Sequence, residues 1–397
     1  MKSIKKQQYL FKFLSISISC IISFVIIEIF SRIFLSPPVI VEYVLNNKPI
    51  DTVYDLGEKL ETIIVNRDPN PSVKVNTKSG FRLKPNTNII VENHYWAGGK
   101  LSIRTNSLGY RNPEIGPKDR RRILFLGDSI TLGDWLPEEE TFVRIIQSLA
   151  EQDKFRLETI NTAVSGISLR NEIAILLETG LSTEPDAVVV NFYLNDFLAS
   201  PGVYLNRLGS PFNKSYFLYN LFTKFPMAIY QITGRGWRIR NLAFQELDLD
   251  KLRNKFLKNK SLIAGDNKSK TSAFNKLVYD NFFDWGGSWS PEVWSYMNQL
   301  FRNLKELSES RNFELYIVAH PVKHQIEAIN IHDYPQKKLK QICSELEIPL
   351  LDLMPILREK RNSSERDIFH DHCHHTSYGN QLVAKEIYSF LSSLSNR

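Results

Sequence analysis

Apolar positions fall into three patterns along this chain. The first is a long run from Phe13 to Leu35, interrupted only by Glu28 and Arg32 and preceded by Lys2, Lys5, Lys6 and Lys12. At about 1.5 Å per residue, a helix of that length crosses a bilayer core of about 30 Å. Glu28 and Arg32 stand one helical turn apart, so they can pair near the far end, where snorkelling is cheap. The basic flank should stay cytoplasmic, which places everything after Leu35 outside. A cleaved signal peptide is the competing reading. The run is longer than a usual signal core and shows no convincing small-x-small cleavage site, so an uncleaved anchor is expected.

The second pattern is alternation. From Asn88 the chain reads Ile90 against Val91, then Tyr95 and Trp96, Gly98-Gly99, Leu101 and Ile103, which predicts a β-hairpin turning at the glycines. Residues 39–80 are mixed and polar, with a turn at Pro69-Asn70-Pro71. Residues 36–120 therefore read as an extension that packs on a larger domain, with Thr105 to Arg111 as its turn-rich approach.

The third pattern is a set of short apolar runs without alternation, as expected for strands buried on both faces. They are Arg122 to Leu126, Leu157 to Thr162, Ala187 to Tyr193, Glu314 to Ala319 and Pro349 to Leu353. Amphipathic helices lie between them: from near Pro137 to Gln152, Leu169 to Gly180, Pro291 to Arg311, Tyr334 to Glu347 and Tyr378 to Leu394. Pro137 and the acidic Glu138 to Glu140 suit a helix start. Five strands alternating with helices predict a parallel three-layer α/β domain over 121–397. Residues 200–290 interrupt the alternation and read as a mainly helical insertion rich in aromatic residues.

Charge sharpens this picture. The net charge is +7, but residues 205–276 hold fourteen Lys and Arg against four Asp and Glu, leaving the rest of the chain near −3. The basicity belongs to the insertion, either as a solvated face or as one suited to an anionic surface. The three cysteines, Cys20, Cys343 and Cys373, make neither a disulfide framework nor a zinc spacing. Two free, mostly buried thiols are expected, with a Cys343–Cys373 bond as the alternative in an oxidising compartment.

The chemistry is carried by two distant stretches. Gly127-Asp128-Ser129 follows directly on the first strand of the domain, and Asp371-His372-Cys373-His374 lies near the C-terminus. Together they supply a hydroxyl nucleophile, a base and a carboxylate to orient the base, the minimum for acyl transfer through a serine ester. Ser129 falls at the carboxyl end of a strand, where ligands bind in open α/β sheets. Two further blocks follow the next strands: Asn161 to Gly166, and Tyr193-Leu194-Asn195-Asp196. In this order the four blocks resemble the SGNH (GDSL) hydrolase family, over about residues 121 to 396 without the insertion. That family carries Gly-Asp-Ser, a Gly after the second strand, Gly-x-Asn-Asp after the third, and Asp-x-x-His. Here Tyr193 stands in place of the leading Gly of the third block, and Gly379 follows His374 by five residues as the family often has.

The resemblance implies a flavodoxin-like α/β/α domain with a five-stranded parallel sheet. It also implies a Ser129–His374–Asp371 triad and an oxyanion hole made by the N–H groups of Ser129 and Gly166 with the Asn195 side-chain amide. Asp128 and Asp196 are expected to support the site by bonding loop backbone. The elbow Gly-x-Ser-x-Gly is absent, because Thr131 stands two residues after Ser129, which argues against the ordinary α/β-hydrolase fold.

The cluster His370 to His375 also invites a metal reading. Neighbouring side chains of a loop diverge, however, and no second ligand cluster stands out, so neither metal nor cofactor is expected. His372 and His375 read as loop or rim residues, and His320 as a residue lining the pocket at the end of the fourth strand. Nothing suggests nucleic acid. The expected function is that of a membrane-anchored extracytoplasmic esterase removing acyl groups, acetyl among them, from an envelope glycan or lipid. The alternatives are a polysaccharide O-acyltransferase with the same triad, and a non-catalytic glycan-binding protein on the same scaffold. The pattern carries no signal of oligomeric state.

Overall fold

The computed structural model describes residues 2–35, 61–66, 74–77, 80–94, 97, 99–198, 215–218, 220–221, 249–258, 270–329 and 332–395. The apolar run at the start forms helix α1 (Lys2–Phe34), within which Leu14–Phe34 has a mean hydropathy of 2.2 and is long enough to cross a membrane. Strand β1 (Glu61–Asn66) follows, then the antiparallel pair β2 (Lys74–Thr77) and β3 (Gly80–Leu83). The predicted hairpin forms as β4 (Thr87–His94) and β5 (Gly99–Arg104), with an irregularity between Val91 and His94. Tyr95, Trp96, Gly98 and the turn at Pro69–Pro71 lie outside the described residues. β1 pairs with β4 in parallel, so the extension carries a three-stranded sheet where a mixed polar stretch was expected.

The main sheet contains β6 (Arg121–Leu126), β7 (Leu157–Asn161), β8 (Ala187–Phe192), β9 (Glu314–Ala319) and β10 (Leu350–Asp352), all parallel. Their order in space is β10-β9-β8-β6-β7. The chain leaves β6 for one side, then crosses to the other for β8, so a crevice opens between the carboxyl ends of β6 and β8. Val188, Val189 and Val190 are fully buried, as both faces of β8 are covered by helices.

Those helices include α2 (Ser129–Leu132), α3 (Phe142–Gln152), α4 (Leu169–Glu178), α5 (Leu249–Lys258), α6 (Lys270–Asp280) and α7 (Pro291–Arg311). The rest are α8 (Lys323–Glu327), α9 (Tyr334–Glu345), α10 (Leu353–Ser363) and α11 (Ser377–Ser395).

Two boundaries differ from expectation for local reasons. Glu138–Glu140 form a separate 3₁₀ turn, with Pro137 before it, rather than the start of α3, because Thr141 is extended and its hydroxyl donates to the Glu138 carbonyl at 2.7 Å. The first N–H of α3, on Phe142, then donates to Asn380 Oδ1 of α11 at 2.9 Å, which satisfies a helix-end donor across the fold. The last strand ends at Asp352, whose carboxylate accepts the Met354 N–H at 3.0 Å and caps α10, a helix the sequence pattern does not predict.

Of the stretch read as an insertion, residues 215–218, 220–221, α5, α6 and 281–290 are described. Phe282, Trp285 and Trp289 there are buried in the main core. Tyr219, Phe222, Phe225, Tyr230, Trp237 and Phe244 lie outside the described residues.

Candidate active site

Ser129 is placed by a turn that only glycine permits. After the buried strand residues Ile123 to Leu126 the chain bends at Gly127, where a Cβ would stand 2.1 Å from Thr131 Oγ1. Asp128 then caps α2, its Oδ1 accepting the Ile130 N–H at 2.9 Å. α2 ends at Gly133 in the left-handed region, at φ 69. Ser129 thus opens a four-residue helix at the tip of β6.

A loop between α10 and α11 brings Asp371 and His374 to the same point. Its base is stitched by the His370 N–H donating to the His374 carbonyl at 2.8 Å and the Thr376 N–H donating to the Ile368 carbonyl at 2.9 Å. Gly379 lets α11 close against it, since a Cβ there would meet the Ile368 carbonyl at 2.2 Å. Asp371 Oδ1 accepts the N–H groups of Cys373 and His374 at 2.9 and 2.8 Å. Its other oxygen, Oδ2, lies 2.8 Å from His374 Nδ1, and His374 Nε2 lies 2.8 Å from Ser129 Oγ. Burial works to raise Asp371, but the hydrogen bond and charge of His374 and the two N–H donors win and hold the carboxyl far below its ordinary range. An ionised carboxylate only accepts, so Nδ1 carries the imidazole proton and Nε2 is left to accept the Ser129 hydroxyl.

The loops bearing the other two blocks converge on this point. The Thr162 N–H donates to the Phe125 carbonyl at 3.1 Å and the Val164 N–H to the Gly127 carbonyl at 3.3 Å, which lays the β7 loop along the end of β6. That loop reaches Gly166 at φ 73, the left-handed region that favours glycine. Asp196 Oδ2 accepts the Tyr193 N–H at 2.9 Å and closes the turn that presents Asn195. The Leu169 N–H, donating to the Asp196 carbonyl at 3.1 Å, ties the two loops together. Tyr193, the departure from the family pattern, turns inward and is buried beside Cys373.

Behind Ser129 lie three buried carboxyls: Asp128, Asp196 and Glu172 of α4. Burial pushes Asp128 up to about 6, against the Ile130 N–H, the nearby His374 and the Asn195 amide. Burial and mutual repulsion raise the other two well above the carboxylate range.

Three placements go beyond the sequence reading. Trp135 packs its indole on the base, with ring centroids 4.0 Å apart from His374. His372 is a rim residue, as expected, but its Nε2 lies 2.9 Å from Asp284 of the 281–290 stretch, a contact that raises its pKa. Arg111 reaches the carbonyls of Leu132, Gly133 and Leu136, at and just after the end of α2.

Two histidines differ from expectation. His375 is buried at 4% exposure and stacks on Phe369, so it is not at the rim. His320 is fully buried between Phe142 and His375 and does not line a pocket.

Asp371, His372 and Cys373 offer ligand atoms within 4.8 Å of one another. Both Asp371 oxygens are already engaged, however, and burial pushes the Cys373 thiol well above its ordinary value, away from the thiolate a metal needs. The donor set does not suit a metal. Cys343 and Cys373 are free and buried.

The buried imidazoles give a pH signature. Burial takes His320 down to about 3 and His375 well below 6.5, so in the unfolded chain both bind protons that the folded chain refuses. Stability attributable to them is therefore lost as pH falls below about 6.5, with a slope approaching about 1.4 kcal/mol per pH unit per group. The raised carboxyls act in the opposite sense, so a difference measurement is needed. His375→Phe is expected to flatten the fall in urea-unfolding free energy between pH 6.5 and 5 relative to the parent chain. Equal slopes would show that His375 titrates normally.

A family model described as GDSL-like Lipase/Acylhydrolase matches residues 123–387, well over half of the chain. No curated protein matches the chain in sequence. Three similar solved structures are each 14% identical to it. The acetyl xylan esterase AlAXEase aligns over 68% of this chain and 98% of its own, with a TM-score of 0.36. An acetylxylan esterase from Geobacillus stearothermophilus aligns over 68% and 93%, with a TM-score of 0.38. A two-domain esterase active on acetylated mannans aligns over 70% and 50%, with a TM-score of 0.39. With three motif blocks after β6, β7 and β8, the fourth in the loop before α11, and the family model spanning all four, the chain belongs to the GDSL-like lipase/acylhydrolase family.

Proposed function

We propose that this acylhydrolase cleaves acyl esters, acetyl among them, of a cell-envelope glycan or lipid outside the cytoplasm, through an acyl-serine intermediate. The observation that carries the reading is the unbroken Asp371–His374–Ser129 chain, with 2.8 Å at both links. His374 Nε2 takes the Ser129 proton as Oγ adds to the ester carbonyl, and returns it to the leaving alcohol. Asp371 holds the imidazole in the productive tautomer and stabilises its protonated form. Water then repeats the sequence on the acyl-serine.

The tetrahedral oxyanion would be met by the N–H groups of Ser129 and Gly166 and by the Asn195 amide. Neither N–H donates to another backbone group among the described residues, which leaves both available. Each such donor is worth about 2.7–4 kcal/mol of barrier. In this reading α1 is an uncleaved anchor, residues 36–120 an extension, and 121–397 the hydrolase domain with its basic insertion.

A sugar hydroxyl can enter the same acyl-enzyme in place of water, so the acceptor decides between hydrolysis and transfer. The full chain in detergent micelles is given p-nitrophenyl acetate together with a deacetylated glycan, and the products are weighed. Free acetate with an unmodified glycan is the expected result. Acetylated glycan as the main product would replace hydrolysis with transfer.

A further inference from the structure

The residues that interrupt the apolar run of α1 have partners far along the chain. Glu28 uses both carboxylate oxygens. Oε1 accepts from Arg32 Nε at 2.9 Å and from the Tyr216 N–H at 3.0 Å. Oε2 accepts from Ser215 Oγ at 2.7 Å and from the Phe217 N–H at 3.1 Å. The contact extends in both directions along one face of α1. Arg32 lies 4.8 Å over the Tyr216 ring, and Phe24 meets Phe217 edge-on with centroids 6.1 Å apart. Phe24, Glu28 and Arg32 follow one another at helical spacing, so this face is a continuous seam. The other face keeps Ile22, Ile26, Ile29 and Ile33 exposed at 53–68%.

A carboxylate inside an apolar span is costly, because lipid supplies no donors. Four donors remove that cost here, and three of them come from residues nearly two hundred positions downstream. A signal sequence that is cut away needs no complement in the mature chain.

We propose that the segment Ser215–Leu218 docks on the far end of the membrane-crossing α1 through Glu28, and that the two meet at the bilayer surface. The partner is the lipid, which meets the exposed apolar face of α1 and the half-exposed Leu221. α1 is then a permanent part of the folded enzyme, and Ser215–Leu218 are held at the membrane; the same link between β8 and β9 also carries Asp284, which meets His372 at the site. This rests on the anchor reading above.

The test uses the full chain, tagged at its N-terminus, in phosphatidylcholine vesicles. Phe24→Cys and Phe217→Cys, with Cys20→Ser, are treated with a short bismaleimide. An intramolecular crosslink is expected, and adding Glu28→Leu should cut its yield about tenfold, in line with the loss of charged hydrogen bonds. A crosslink that ignores Glu28→Leu, or none at all, overturns the docking. Unchanged hydrolysis of a soluble ester by Glu28→Leu certifies that the domain is folded. A fluorophore on Leu221→Cys should be quenched by nitroxide lipids, and absence of quenching overturns the bilayer contact. Loss of the N-terminal tag from the mature chain would instead sink the anchor reading, so the two failures are separable.

Discussion

Ser129→Ala is expected to lower kcat for p-nitrophenyl acetate by about 10⁶-fold and Asp371→Asn by about 10⁴-fold, with little change in thermal midpoint. The two losses have different causes. The first removes the atom that would form the ester in the proposed mechanism. The second leaves every heavy atom in place and acts through one proton. Asp371 Oδ1 is fixed by the N–H groups of Cys373 and His374, which require an acceptor. In the amide variant that demand pins the carbonyl oxygen on the two N–H groups. The NH₂ is therefore turned towards His374 Nδ1, where Oδ2 now sits at 2.8 Å. A donor at that point forces the imidazole proton onto Nε2, which can then no longer accept from Ser129 Oγ. Because the groups act as a unit, His374→Ala combined with Ser129→Ala should be no worse than Ser129→Ala alone. Steady-state kinetics on the four proteins checks this. An Asp371→Asn enzyme with more than a tenth of the parent kcat would mean that another group orients His374.

The strand pattern was legible because burial on both faces leaves short apolar runs, and all five main strands start within one residue of the expected position. The motif blocks were legible because each is local: Gly127, Asp128 and Ser129 are consecutive, and Asp371 and His374 share one loop. What stayed hidden is tertiary. Trp135 carries no signal in its neighbours, since its role comes from facing a residue more than two hundred positions away. The same holds for Glu172, which reads as an ordinary polar residue of an amphipathic helix until the helix turns it inward. His320 and His375 misled because a histidine at a strand end or beside a motif block looks accessible, while packing on Phe142 and Phe369 buries both rings. β1 had a readable signal in Ile63-Ile64-Val65, a β-branched run that the polar surroundings outweighed. Gly379 was noted by position only. Its reason is the close approach of α11 to the Ile368 carbonyl.

Arg111→Ala is expected to destabilise the chain by about 3–5 kcal/mol, through loss of a fully buried side chain and its charged hydrogen bonds to backbone carbonyls. Arg111 sits in the extension, in a stretch that reads as a plain turn, yet it is fully buried. Its Nη1 donates to the carbonyls of Leu132 and Gly133 at 2.8 and 2.6 Å, and its Nη2 to that of Leu136 at 2.6 Å. Two of these carbonyls end α2, the helix that Ser129 begins, and such carbonyls have no partner within the helix itself. The guanidinium therefore fastens the nucleophile turn from its far end, and a cation is the favourable charge there. Burial pulls Arg111 down, and the nearby Glu138, Asp134 and Glu139 oppose that pull, so the group stays charged as arginine does in proteins. Alanine would leave the Leu132 and Leu136 carbonyls unsatisfied, each costing about 1–3 kcal/mol, and Gly133 with only the Leu136 N–H, together with the space of the side chain. The costs do not add fully, because the loop can relax towards water. Arg111→Lys should recover only part of the loss, since one ammonium cannot reproduce a planar fork that spans Leu132 to Leu136. Urea midpoints of the three proteins give the ordering, and kcat on a soluble ester should fall with them because α2 carries Ser129. An alanine variant within about 0.5 kcal/mol of the parent, the range of an ordinary surface change, would show that the extension does not hold the nucleophile turn.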